Sequence, residues 1–173
     1  MLAQLTAALS LPKTLTASHV LVLLPKDKEL PRDMAYREVV AAVLKRRGMK
    51  ADALVKSPVS ANAASGALVA WAMLDFSKSS FSVQTQVRKA LQLLLGEQPA
   101  SITIVVHGDA SQRQQAAESA VYSAWVNGTP LPLHKKKADQ PKPLQKIALY
   151  GIDMKAVQFL PPERGKARSG RTK

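Results

Sequence analysis

The hydrophobic and polar positions along the chain predict strands and helices in alternation. Four apolar stretches end at turn-forming or charged residues and are rich in β-branched and bulky aliphatic side chains, as is typical of buried strands. They are Thr16–Leu24, Ala67–Leu74, Ile102–Val106 and Lys146–Gly151. A weaker strand, Ala53–Val59, is predicted to form a β-ribbon with the second of these across the small-residue turn Asn62–Gly66.

Three further segments carry apolar residues at spacings of three and four, which predicts amphipathic helices. A short polar side chain is expected to cap each helix, and a glycine is expected to end it. The predicted caps and final glycines are, in chain order, Asp33 and Gly48, Ser82 and Gly96, and Asp109 and Gly128. Strands alternating with helices predict an α/β fold, a three-layer-like sandwich with a mixed, mostly parallel sheet flanked by helices.

The 173 residues suffice for one domain with a complete core. We assign residues 1–15 to an N-terminal segment, 16–151 to the α/β domain and 152–173 to a basic, flexible C-terminal tail. The apolar start of the chain has no basic residue before it, unlike a secretory signal, and no apolar run approaches the roughly 20 residues that cross a bilayer. We therefore expect a soluble, cytoplasmic protein without membrane contact.

Positive charge is the unusual bulk property. Lysine and arginine number 25 against 12 acidic residues, which gives a formal net charge of +13. Such an excess attracts polyanions, so an alternative function is nucleic-acid binding directed at the phosphate backbone. The candidate polyanion-binding residues lie in a lysine cluster and in the tail: Lys135, Lys136, Lys137, Lys142, Lys146, Arg164, Lys166, Arg168 and Arg171.

Chemistry-bearing residues do not form a recognisable catalytic pattern. No two of the three histidines share a helix face at metal-ligand spacing, and the chain has no cysteine, nucleophile elbow or paired carboxylates. The sequence therefore predicts no catalytic residue, no metal ion and no cofactor. A further alternative is a small-ligand, nucleotide-like site at His107, Gly108 and Asp109, because crevices form where parallel strands end and helices begin.

Between Ala116 and Leu149, a small-residue helix is followed by a triple lysine, a proline-rich spacer and a strand. This order resembles the end of the N-terminal domain of the leucyl aminopeptidase family, and a looser similarity extends back to Val20. Ser119 replaces a glycine of the family's helix, and the stretch 129–132 departs from its aromatic turn. Trp125 stands near the family's usual aromatic residue, and the residues that match are Ala117, Glu118, Lys135, Lys136 and Lys137.

The resemblance implies a mixed α/β sandwich related to macro domains. In the family this domain decorates a hexamer built by the catalytic domains, and some bacterial members bind DNA through surfaces that include it. The family's metal-binding segment and its catalytic lysine and arginine have no counterpart in this sequence. We therefore expect a module that is not an enzyme by itself, acting in assembly, regulation or binding, with a protein partner or through self-association.

Overall fold

A computed structural model describes residues 2–129, 142–156 and 159, which form a single six-stranded sheet with helices on both faces. The strands are β1 (Gln4–Ala8), β2 (His19–Pro25), β3 (Val59–Asn62), β4 (Leu68–Leu74), β5 (Ser101–Val106) and β6 (Lys146–Tyr150). The helices are α1 (Arg37–Arg47), α2 (Ser80–Leu95) and α3 (Ala110–Asn127). Short 3-10 helices form at Ala51–Val55 and Met154–Ala156.

The sheet is mixed and mostly parallel, as the sequence predicts. Its strand order is β1-β6-β5-β2-β4-β3, and every neighbouring pair is parallel except β3 and β4. The central strand β2 pairs with both β4 and β5, so that Val22 lies between Trp71 and Val105. A strand in this position is covered on both faces, which explains its unbroken apolar sequence.

Two hydrophobic cores lie on opposite faces of the sheet and make the architecture three-layered. Leu21 and Leu23 of β2 pack on the face covered by α2 and α3. Val20, Val22 and Leu24 point to the other face, which α1 and the 3-10 helix Ala51–Val55 cover. Because side chains alternate along a strand, one apolar strand serves both cores.

The edge strand β1 lies in the segment 1–15, which the sequence analysis set apart from the α/β domain. It pairs in parallel with β6, from Gln4 opposite Lys146 to Ala8 opposite Tyr150. The indole Nε1 of Trp125 donates a hydrogen bond to the Ala3 carbonyl oxygen at 3.1 Å and ties this strand to α3. The segment therefore contributes an edge strand to the sheet.

The predicted β-ribbon across the turn Asn62–Gly66 is confirmed, but the predicted bounds of its first strand, Ala53–Val59, are wrong. Ala51–Val55 is a 3-10 helix, and the strand that pairs with β4 begins only at Val59. The short helix places Leu54 fully in the core while Asp52 and Lys56 stay outside it. Pro58, which has no N–H to donate, separates the two elements.

Two predicted helix caps are also wrong, and the third is confirmed. Helix α1 begins at Arg37 after Tyr36 in a left-handed conformation rather than after Asp33, and Met34, between Asp33 and the helix, is buried in the core. Helix α2 is capped by Ser79, whose Oγ accepts from the Ser82 amide at 3.2 Å. Asp109 caps α3 as predicted, and all three predicted glycines follow the helix ends.

Candidate functional site

A groove rich in lysine lies at the carboxyl ends of β2 and β4. We call it the lysine groove, and its volume is about 820 Å³. Two acidic residues, Asp52 and Asp75, lie among its lysines. Its remaining principal lining residues are Lys26, Lys56, Lys78, Phe81, Ser82, Thr85, Gln86 and Lys89.

Each wall of the lysine groove comes from a different layer of the fold. Lys56 follows the 3-10 helix that packs on the α1 face of the sheet. Lys89 belongs to α2, on the opposite face, where Ser82, Thr85 and Gln86 precede it at helical spacing. The groove is therefore a crevice between two layers at the ends of parallel strands, the usual position of ligand sites in open α/β sheets.

Backbone bonds fix Lys26 beside Asp75. The Lys26 amide donates to the Leu74 carbonyl oxygen at 2.9 Å and extends the pairing of β2 with β4 by one residue. The Lys26 ammonium then lies 3.7 Å from Asp75 Oδ2. The Lys78 amide donates to the Asp75 carbonyl oxygen at 3.1 Å, so the same turn also positions the next lysine of the groove.

Asp75 is held as a carboxylate by its own loop. The Ser77 hydroxyl and amide donate to its Oδ1 at 2.5 and 3.1 Å. These hydrogen bonds, the hydroxyl first, lower the pKa of Asp75 from its usual 3.8 together with the charges of Lys26 and Lys78, although burial opposes the shift. Asp75 therefore organises the turn and neutralises part of the charge of Lys26.

The predicted ligand crevice at His107, Gly108 and Asp109 lies at the same edge of the sheet, at the end of β5. Two of its amides are engaged within the chain: the His107 amide donates to the Leu23 carbonyl oxygen at 3.0 Å, and the Asp109 amide donates to Gln112 Oε1 at 3.0 Å. Asp109 in turn accepts from the Gln112 amide at 2.8 Å. A side chain at Gly108 would lie 2.6 Å from Gln112 Oε1, so Gln112 fills the space beside this turn. Ligand binding there stays a prediction.

His107 is neutral at physiological pH in this fold. Its Nε2 is buried and makes no hydrogen bond with the described residues. Burial, and then the positive charge of Arg113, lower the pKa of His107 below its usual 6.5. Burial therefore disfavours the charged form of the imidazole at this turn.

This lowered pKa predicts a loss of stability in mild acid. The unfolded chain takes up a proton at His107 near pH 6.5, but the folded chain does so only at lower pH. The contribution of His107 to the free energy of unfolding is therefore fully present above about pH 6.5. It is lost as the pH falls through the lower pKa of the folded chain. Urea denaturation between pH 7.5 and 5 should show this decrease, and His107→Gln should flatten it. An equal decrease in the variant would contradict this origin.

The predicted polyanion cluster lies partly outside the described residues, which do not include Lys135–Lys137 or the tail arginines and lysine. Lys146 begins β6 and is exposed, and the Lys142 amide donates to Gln98 Oε1 at 3.0 Å. Both lie at the amino ends of the strands, opposite to the lysine groove and to His107. The structure therefore does not bring the two predicted sites together.

A serine, a histidine and a glutamate meet at this amino edge, which the sequence analysis did not anticipate. Ser18 Oγ lies 2.8 Å from His19 Nδ1, and His19 Nε2 lies 3.4 Å from Glu97 Oε1. The second contact is within ion-pair distance, but its geometry does not make a hydrogen bond with Nε2. A catalytic triad needs both hydrogen bonds, so we assign no nucleophile here.

Within residues 2–129, 142–156 and 159, no three histidine or acidic side chains are grouped so that they could hold a metal ion. None of the helices in the same part of the chain has the length and apolar character that crossing a bilayer requires.

Comparison with solved structures shows that this fold is similar to part of a known enzyme. No protein-family model and no curated protein matches the sequence. Among solved structures, a mutant of tomato leucine aminopeptidase is similar, with a TM-score of 0.51 and 12% sequence identity over 87% of this chain and 33% of that chain. This chain thus spans about a third of the length of that enzyme. The likeness shows a mixed, mostly parallel α/β fold, consistent with the N-terminal domain of leucine aminopeptidase, to which the sequence between Ala116 and Leu149 pointed.

Proposed function

We propose that this chain is a non-catalytic module related to the N-terminal domain of leucine aminopeptidases and that it acts by binding. The observation that carries the proposal is the coverage of the structural match, which takes in 87% of this chain but only 33% of the enzyme. Most of this chain therefore corresponds in fold to about a third of the enzyme. The proposed partner is another protein or a second copy of the chain. Sedimentation velocity of the pure protein distinguishes these, because self-association gives a species larger than the monomer.

The proposal predicts no peptidase turnover. Purified chain incubated with leucine p-nitroanilide and Zn²⁺, Mn²⁺ or Mg²⁺ should release no nitroaniline above the background of metal alone. An intact leucine aminopeptidase assayed alongside serves as the positive control. Metal-dependent release that is proportional to the concentration of this chain, and that coelutes with it in gel filtration, would contradict the proposal.

A second candidate function is nucleic-acid binding, which the net charge of +13 favours. We expect fluorescence polarisation to detect binding of duplex DNA or RNA that weakens as salt rises, with a log–log slope of about one unit per phosphate contacted. Replacing the exposed residues Lys142 and Lys146 with alanine should make this slope shallower. Absence of binding, or affinity unchanged between low and moderate salt, eliminates this function.

A further inference from the structure

The lysine groove has an excess of positive charge, an exposed aromatic ring and the volume of a small-molecule site. We first consider its charge. Four lysines from separate parts of the chain surround it, against two aspartates. Asp75 is already engaged by Ser77 and Lys26, and Lys26 is the one groove lysine with an ion pair among the described residues. Lys78 also acts on the charge of Asp75. Four lysines against two aspartates leave the groove with an excess of positive charge, which attracts an anion.

Phe81 adds an aromatic surface to this basic groove. Its side chain is 77% exposed on the first turn of α2, although a phenylalanine of a folded domain is usually buried. The first turn of α2 contains no acidic residue that would offset the charge of the groove lysines. An aromatic ring beside ammonium groups matches a ligand that carries both an aromatic base and negative charge.

The size and shape of the groove favour a small molecule over a polymer. Its volume of about 820 Å³ lies within the range of roughly 300–1,000 Å³ that is typical of small-molecule sites. Its lysines come from separate parts of the chain and surround one groove at the strand ends, whereas a polymer site needs positive charge continued along a track. The Thr85 hydroxyl donates to the Phe81 carbonyl oxygen at 2.9 Å, and Gln86 Oε1 accepts from the Asp75 amide at 3.1 Å. The side-chain N–H groups of Gln86 can donate to a sugar or a phosphate in the groove.

We propose that the lysine groove binds a nucleoside polyphosphate. In this arrangement the phosphates lie among Lys26, Lys56, Lys78 and Lys89, and the base stacks on Phe81. This site is distinct from the predicted crevice at His107 and from the polyanion cluster at the amino edge of the sheet. It does not depend on the proposed protein partner, so either conclusion stands if the other fails.

Isothermal titration of the full chain with ADP, ATP, adenosine and pyrophosphate tests the site. We expect one saturable site for ADP and ATP and much weaker binding of adenosine, which lacks the phosphates. Lys56→Ala and Lys89→Ala should each weaken ADP binding about threefold, which is the scale of a partly exposed charge pair. Phe81→Ala should weaken ADP about tenfold, in line with the loss of base stacking, and should leave pyrophosphate unchanged.

Two control variants separate this site from general charge effects. Lys13→Ala removes one exposed positive charge outside the groove lining and should leave ADP binding unchanged. Asp52→Asn removes a negative charge from the groove and should tighten binding. No binding of ADP or ATP would overturn the proposal, as would equal losses in Lys13→Ala and Lys56→Ala. Binding of a single-stranded oligonucleotide that depends on Phe81 and Lys89, without binding of mononucleotides, would assign the groove to nucleic acid instead.

Discussion

Gly151→Ala is expected to lower the free energy of unfolding by about 3–5 kcal/mol, near the upper limit for a single substitution. Gly151 follows β6 with φ of +102°, and its amide donates to the Ala8 carbonyl oxygen at 2.9 Å. A Cβ atom there would lie well inside van der Waals contact with the Val106 carbonyl oxygen, which belongs to β5 and is not free to move. The substitution therefore drives β1, β5 and β6 apart at one point.

Gly66→Ala is the matched control for this effect. Gly66 also has a positive φ, of +89°, but a Cβ atom at its position would meet nothing within 4 Å. Gly66→Ala should therefore lower the free energy of unfolding only by the backbone strain, about 1 kcal/mol. Urea denaturation followed by circular dichroism measures both losses. Equal losses would show that the close approach of Gly151 to Val106 does not constrain the sheet.

Trp71→Ala is expected to lower the free energy of unfolding by about 3–5 kcal/mol. Trp71 lies in β4 between Val22 and Val59 and is fully buried in the core beneath α1. Its removal leaves a large cavity, because the neighbouring strands are fixed by hydrogen bonds and cannot close around it.

Trp71→Phe distinguishes packing from hydrogen bonding at the same position. The indole Nε1 of Trp71 is buried and makes no hydrogen bond with the described residues, so phenylalanine removes a polar atom that gains nothing from burial. We expect a loss below about 1.5 kcal/mol, because the remaining ring fills most of the volume. A loss as large as that of Trp71→Ala would indicate that the N–H group has a partner.

The sequence predicts the central strands and the helices well because burial leaves a strong pattern. Residues 20–24 and 102–106 are apolar at nearly every position, as a parallel strand covered on both faces must be. The edge strand β1 is half exposed, and Gln4-Leu-Thr-Ala-Ala8 offers only a weak alternation of small residues. Its place in the sheet depends on β6 and on the bond from Trp125 to Ala3, which are remote in sequence.

Helix beginnings follow the sequence only where the local cap is not overridden by the core. Asp109 and Gln112 cap α3 through bonds within four residues, so the pattern suffices. At α1 the burial of Met34 outweighs the capping ability of Asp33, and the helix starts later. Burial of one large apolar side chain contributes more free energy than one cap, so tertiary packing decides such cases.

The lysine groove was not predicted because no segment of the chain contains it. Lys26 follows β2, Lys56 follows a 3-10 helix and Lys89 lies in α2, and each alone has the appearance of a solvated surface residue. The parallel pairing of β2 with β4 and the packing of α2 bring them to one edge of the sheet. The sequence places Phe81 before the predicted cap Ser82, and only the structure shows it in the first turn of α2 outside the apolar stripe.

The metal content of the purified chain is the most direct test of the proposal that this chain is a binding module and not a metallopeptidase. Two-metal peptidases hold their ions on closely grouped carboxylates, whereas no such group forms among residues 2–129, 142–156 and 159. After loading with Zn²⁺ or Mn²⁺ and exhaustive dialysis, elemental analysis should find far less than one ion per chain. Retention of one or two ions per chain, together with hydrolysis of leucine p-nitroanilide, would contradict the proposed non-catalytic role.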